Sequence, residues 1–169
     1  MNALAKSTVA EKPLNERQIK PRYLECLNLV ERLHRQLLDV IKDELDRKGE
    51  REVNSVQALL LFNIGDQEMT AGELRTRGHY LGSNVSYNLK KLVESGYIHH
   101  ERSDVDRRSV HVRLTDKGAA IRQIVVKLFD RHLDSIEAVG NVSTADFDTL
   151  NVSLKRLERF WLDQVRYRL

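Results

Sequence analysis

Between Leu14 and Leu45 the apolar positions Tyr23, Leu27, Val30, Leu33, Leu37, Ile41 and Leu45 recur every three or four residues. That spacing predicts one long amphipathic helix, entered near Pro21. The charged run Asp46-Arg47-Lys48-Gly49-Glu50-Arg51 ends it, with Gly49 suited to the left-handed conformation that caps a helix. Asn54 or Ser55 caps a second helix through Ile64, and Val56, Leu59, Leu60 and Phe62 make it apolar enough to belong in a core. Thr70 and Glu73 have the spacing of a capping box and start a short helix that Gly78 closes. Gly82-Ser83-Asn84 restarts the chain with Ser83 as cap, and the next helix carries Val85, Leu89, Leu92 and Val93 on one side as far as Gly96.

Beyond Gly96 the period changes. Tyr97 to Arg102 and Ser109 to Leu114 are alternating or β-branched stretches on either side of the polar tip Asp104-Val105-Asp106-Arg107-Arg108, and read as paired strands. Thr115-Asp116-Lys117-Gly118 launches a helix whose buried side holds Ile121, Ile124, Val125, Leu128 and Ile136. Asn141-Val142-Ser143 breaks it. Ser143 and Asp146 then cap a last helix, with Phe147, Leu150, Leu154, Leu157 and Trp161 at helical spacing. The fold class is mostly α, with two short helices and a two-stranded β wing between long terminal helices. After a mobile tail over 1–13, a single domain spans 14–169: 54–118 form the winged helix-turn-helix, and 14–48 and 119–169 the dimerisation helices. A small winged domain has no room to cover those three long apolar stripes. A twofold partner copy covers them, or else they pack on one another as a monomeric bundle.

Composition narrows the class. The 169 residues are 41% hydrophobic and 31% charged with only two prolines, which fits a folded, helix-rich chain. No apolar run reaches membrane-spanning length, and the first residues lack a signal-peptide core. One cysteine, Cys26, cannot make an internal disulfide, so a cytoplasmic location is expected. The net charge of +3 is modest, but its placement is not: residues 75–113 hold eight basic and four acidic side chains. A positive potential on one segment attracts phosphates.

On the Ser83 helix the positions not needed for packing include Ser83, Asn84, Ser86 and Tyr87, chemistry that reads base edges from a major groove. Lys90 and Lys91, a turn later, suit the phosphate backbone. At the hairpin tip Arg108 is the side chain expected in a narrow minor groove, Arg107 a backbone contact and Asp106 the organiser that holds an arginine in place. Arg75 and Arg77 add phosphate contacts from the preceding helix. The partner implied is double-stranded DNA.

These residues resemble the MarR family of bacterial transcription regulators. The wing pattern is Glu101-Arg102-Ser103-x-x-Asp106-x-Arg108-Ser109-Val110-x-Val112-x-Leu114-Thr115-x-x-Gly118, preceded by Leu89-x-x-Leu92-x-x-x-Gly96-Tyr97-Ile98. The resemblance implies a homodimer on a roughly palindromic operator, acting as a repressor and released by a small-molecule effector. Two stretches depart from the family pattern: the polar, glycine-rich Arg77-Gly78-His79-Tyr80-Leu81-Gly82, and the long charged connection from Leu45 to Asn54. The run from Leu81 to Leu89 is similar to one branch, the L,D-transpeptidase regulators called LdtR.

The family places its effector where the long helices meet the winged domain, so Leu38, Ile41, Leu59 and Phe62 become candidate effector contacts, with packed core as the plain alternative. Cys26 as a peroxide sensor is the weaker reading, because no second cysteine can resolve an oxidised thiol. Of the six histidines only His99, His100 and His111 can converge, without the spacing of a metal set. No nucleophile elbow or phosphate-binding glycine loop is present, so no catalytic residue, metal or cofactor is expected and the chain is not an enzyme. The rival classes are a winged-helix protein-interaction module and a sequence-independent, nucleoid-type DNA binder.

Overall fold

A computed structural model of the protein describes residues 14–70, 73, 82–102 and 110–167. The chain falls into two compact units, divided between Val56 and Gln57. The first is dominated by α1 (Leu14–Arg47), 34 residues long. It does not begin at Pro21 but runs through it, and the Arg22 guanidinium donates to the Gln18 carbonyl one turn back at 2.7 Å. Pairs one turn apart line its surface, among them Lys42–Asp46 at 2.6 Å and Arg47–Asp43 at 2.9 Å. The helix stops as its sequence requires. The Glu50 amide donates to Leu45 O at 3.0 Å and the Gly49 amide to Asp46 O at 3.1 Å, with Gly49 at φ +75°. This double closure needs a left-handed residue just past the helix, which glycine supplies without a Cβ clash. Near this end Ile41, Leu45, Val53 and the carboxylate-bearing Glu44 are buried, Glu44 pairing with Arg47 at 3.3 Å. Further up, Ile19, Tyr23, Leu24, Leu29, Val30 and Leu33 stay exposed.

The second unit holds the sheet and its helices. From the division onward the elements are α2 (Ser55–Ile64, all but its first two residues in this unit), β1 (Met69–Thr70), α3 (Gly82–Glu94), β2 (Ile98–Arg102), β3 (Val110–Leu114), α4 (Asp116–Ile136) and α5 (Thr144–Tyr167). Ala58, Leu60, Leu61 and Ile64 of α2 are buried, as its all-round apolar sequence demands. With them in the core lie Met69, Leu89, Leu92, Tyr97, Ile98, Val112, Ile121, Val125 and Leu128. Phe62 meets Phe129 edge to face at 5.0 Å, joining α2 to α4, and Asp66 ties the turn after α2 to Arg122 at 2.8 Å.

The strands form a three-stranded antiparallel sheet in the order β1-β3-β2. The expected hairpin is therefore joined by a third strand, which the sequence could not reveal because two residues are too short to alternate. Met69 faces Val112 and Thr70 faces His111, while β2 and β3 pair from Ile98↔Leu114 to Arg102↔Val110. Val112 thus has a backbone partner on both sides and is fully buried. Tyr97, expected in the first strand, lies just before it: its amide donates to Leu92 O at 2.8 Å, closing α3 in the same double-bonded manner as α1. At the other end, α3 already includes Gly82, so Ser83 lies in its first turn and not at the cap.

Three side-chain caps follow the sequence closely. Thr70 and Glu73 make a reciprocal box, with Thr70 N–H donating to Glu73 Oε2 at 2.7 Å and Glu73 N–H to Thr70 Oγ1 at 3.1 Å, and Glu73 is helical. The rest of that short helix lies outside the described residues. Thr115 caps α4 by accepting from Gly118 N–H at 3.1 Å. Ser143 and Asp146 cap α5, with Ser143 N–H donating to Asp146 Oδ2 at 2.9 Å and Asp146 N–H to Ser143 Oγ at 3.3 Å. No residue of α5 is buried, and Leu150, Leu154, Trp161, Leu162 and Val165 are exposed along it.

Candidate nucleic-acid interface

The polarity of α3 sets up the site. Leu89 and Leu92, three residues apart, are buried and seat the helix against β2. Ser86, Tyr87, Lys90 and Lys91 are exposed, as their spacing from the leucines requires, and Tyr87 at 62% is one of the most open aromatic side chains among the described residues. A helix packed in this way presents a continuous polar surface with one aromatic ring, two hydroxyls and two ammonium groups. Ser83 and Asn84 belong to the first turn of α3. Arg75, Arg77, Asp106, Arg107 and Arg108 lie outside the described residues. The strands that carry the wing are nevertheless described, and β2 follows α3 after a three-residue turn.

Electrostatics adds a residue that the sequence pattern did not bring forward. Glu94 sits between both lysines, its Oε1 at 3.8 Å from Lys90 Nζ and its Oε2 at 3.9 Å from Lys91 Nζ. Lys91 Nζ also lies 6.0 Å from the centre of the Tyr87 ring, at the outer limit of a cation–π contact. These exposed, long ion pairs hold the ammonium groups weakly, so a phosphate oxygen can replace the carboxylate at little cost. The signal was present in the sequence: the positions are i,i+4 and i,i+3.

The outer face of the sheet is polar as well. His111 Nδ1 lies 2.7 Å from Glu68 Oε1, and Arg113 Nη2 is 3.5 Å from Glu101 Oε1. The register puts His99 beside Arg113 on this face and His100 on the opposite one, next to Val112. Among the described residues no three His, Cys, Asp or Glu side chains are placed to hold a metal ion, and no helix is long and apolar enough to cross a membrane. Of the four candidate effector contacts, Leu38 and Ile41 lie in the first unit and Leu59 and Phe62 in the second. Ile41 is fully buried, and the other three are half-buried. Cys26 is half-buried in α1.

Residues 53–118 match the winged helix DNA-binding domain family. The exopolysaccharide II synthesis transcriptional activator ExpG of Rhizobium meliloti (strain 1021) is 36% identical over 149 residues, which cover 86% of this chain and 74% of that protein. Among solved structures, a mutant MarR from E. coli complexed with operator DNA superimposes with a TM-score of 0.63 at 20% identity, covering 86% of this chain and 99% of that one. BpsR of Bordetella bronchiseptica, whose DNA binding is regulated by 6-hydroxynicotinic acid, superimposes with a TM-score of 0.61 at 16% identity, covering 79% of this chain and 98% of that one.

Proposed function

Because this chain belongs to the winged-helix transcriptional regulators and has the fold of the MarR structures, we propose that it binds a palindromic operator as a homodimer and is released by a small-molecule effector. The polar outer face of α3, seated through Leu89 and Leu92 and followed directly by the wing strands, carries this reading. Ser83, Asn84, Ser86 and Tyr87 read base edges in the major groove, and Lys90 and Lys91 hold flanking phosphates. Arg108 enters the neighbouring minor groove, Asp106 orients it, and Arg107, Arg75 and Arg77 hold the backbone. A second copy is called for by α1 and α5, whose exposed apolar residues recur at helical spacing. Two recognition helices about 34 Å apart then meet successive major grooves, and binding of a small-molecule effector shifts that spacing. The regulation of BpsR by 6-hydroxynicotinic acid supports the effector step by analogy of fold. Within the family, the run from Leu81 to Leu89 supports a place in the L,D-transpeptidase regulator branch.

A gel-shift series tests the DNA reading. DNA from upstream of the protein's own gene should be retarded at physiological salt and a random duplex much less, and Arg107→Ala/Arg108→Ala should abolish most of the difference. Equal retardation of the two duplexes indicates a nucleoid-type binder, and no retardation an interaction module. ExpG is a transcriptional activator, which favours activation as the second reading of the sign of control beside repression. Transcript levels with and without the protein decide between them.

A further inference from the structure

We propose that Thr115, Lys117 and Gly118 are positioning residues for the DNA-reading helix, clamping the turn that ends α3 to the start of α4. The inference rests on α3 being that reading element. Three successive carbonyls leave the turn, those of Ser95, Gly96 and Tyr97, and each is taken by the Thr115–Lys117 segment. Lys117 Nζ donates to Ser95 O at 3.3 Å, Thr115 Oγ1 to Gly96 O at 2.7 Å and Thr115 N–H to Tyr97 O at 3.1 Å. The Lys117 ammonium also lies 4.2 Å from the centre of the buried Tyr97 ring, close enough for a cation–π attraction. Gly118 is buried, and a Cβ there would overlap the Tyr97 carbonyl, so the approach of the two segments requires glycine.

Capping α4 needs only an acceptor at Thr115, which its hydroxyl supplies to Gly118 N–H. Donation from the same hydroxyl to Gly96 is a separate contact, and it fixes α3. Gly96 has φ +75° and closely follows α3, so the clamp sets the angle at which that helix leaves the core. Since α4 also packs on β3, the clamp ties α3 to that strand as well. Groove reading depends on such placement, because base contacts are short-range and phosphate contacts tolerate displacement.

The test compares the tightest duplex that the wild-type chain enriches from a randomised pool with a scrambled duplex of the same composition. Thr115→Val and Lys117→Met should each lower affinity for the enriched duplex about tenfold, the loss expected when one base contact is spoiled, with less than about twofold change on the scrambled duplex. Thr115→Ser, which keeps both bonds, should behave as wild type. Lys117→Met should leave the slope of log affinity against log salt unchanged. A slope lowered by about 1, with equal losses on both duplexes, would make Lys117 a phosphate contact and overturn the clamp. Variants that melt earlier yet discriminate as well as wild type overturn it too, leaving the contacts a stabilising role alone. A wild type that does not discriminate overturns the DNA-reading function and the clamp with it.

Discussion

Glu94 shows how a single side chain tempers the charge of the helix proposed to read DNA. Its carboxylate lies within 4 Å of both Lys90 and Lys91, so on the proposed reading those charges would meet a duplex already partly neutralised. Glu94→Gln should therefore raise affinity for any duplex about two- to fivefold at low salt, the range set by exposed ion pairs, with sequence preference unchanged. Titration with labelled DNA checks this, and an unchanged affinity would show that the lysines do not face phosphate. At Asp146 the hydrogen bonds from Ser143 hold the carboxyl below its ordinary value, the side-chain bond contributing most. A lowered folded-state pKa means that the cap of α5 is at full strength above the usual Asp range of about 3.9 and is lost as pH falls through the depressed value. NMR titration of the Asp146 carboxyl should move its midpoint upward in Ser143→Ala. The exposed residues of α3 were legible because Leu89 and Leu92 fix which way the helix faces. Glu94 was equally legible by spacing, yet an acid in a basic segment draws little attention until its distance to two lysines is known.

Among the elements, the long helices were readable from period and caps, and the structure ends them close to the residues that the caps marked. Where it differs, a local bond decides. Tyr97 left the strand because its amide closes α3, and α1 begins before Pro21 because one missing N–H does not stop a 34-residue helix. The strand Met69–Thr70 was not readable at all, since its partner β3 lies far along the chain and pairing at that distance leaves no local pattern. The helix ends also differ in what they tolerate. Gly49 at φ +75° has open space around an added Cβ, so Gly49→Ala should cost about 1–2 kcal/mol through backbone strain alone. Gly118 carries no such strain, but Gly118→Ala drives a Cβ into the Tyr97 carbonyl, and should cost more. Thermal melting of the two variants ranks them, and an equal loss would remove the close approach at Tyr97.

For the whole molecule the terminal helices raise the main question. An α5 without a buried residue, lined by Leu150, Leu154 and Trp161, is poorly satisfied by one chain. Leu154→Glu/Trp161→Glu should convert a dimer to a monomer by light scattering and weaken binding to a two-half-site duplex far more than to a single half-site. Wild-type chain that already runs as a monomer would sink the paired reading. The sequence announced these stripes, but helical periodicity says only that a face is apolar and not which surface covers it. The sheet has a further consequence, for how such a chain can change over generations. Because β3 is paired on both sides, with buried Val112 fixed opposite Met69 and His100, its register is specified by the core as well as by the hairpin that it belongs to. Substitutions between Arg102 and Val110 that keep its length can then change the charge of that segment while the seat of α3 is inherited unchanged.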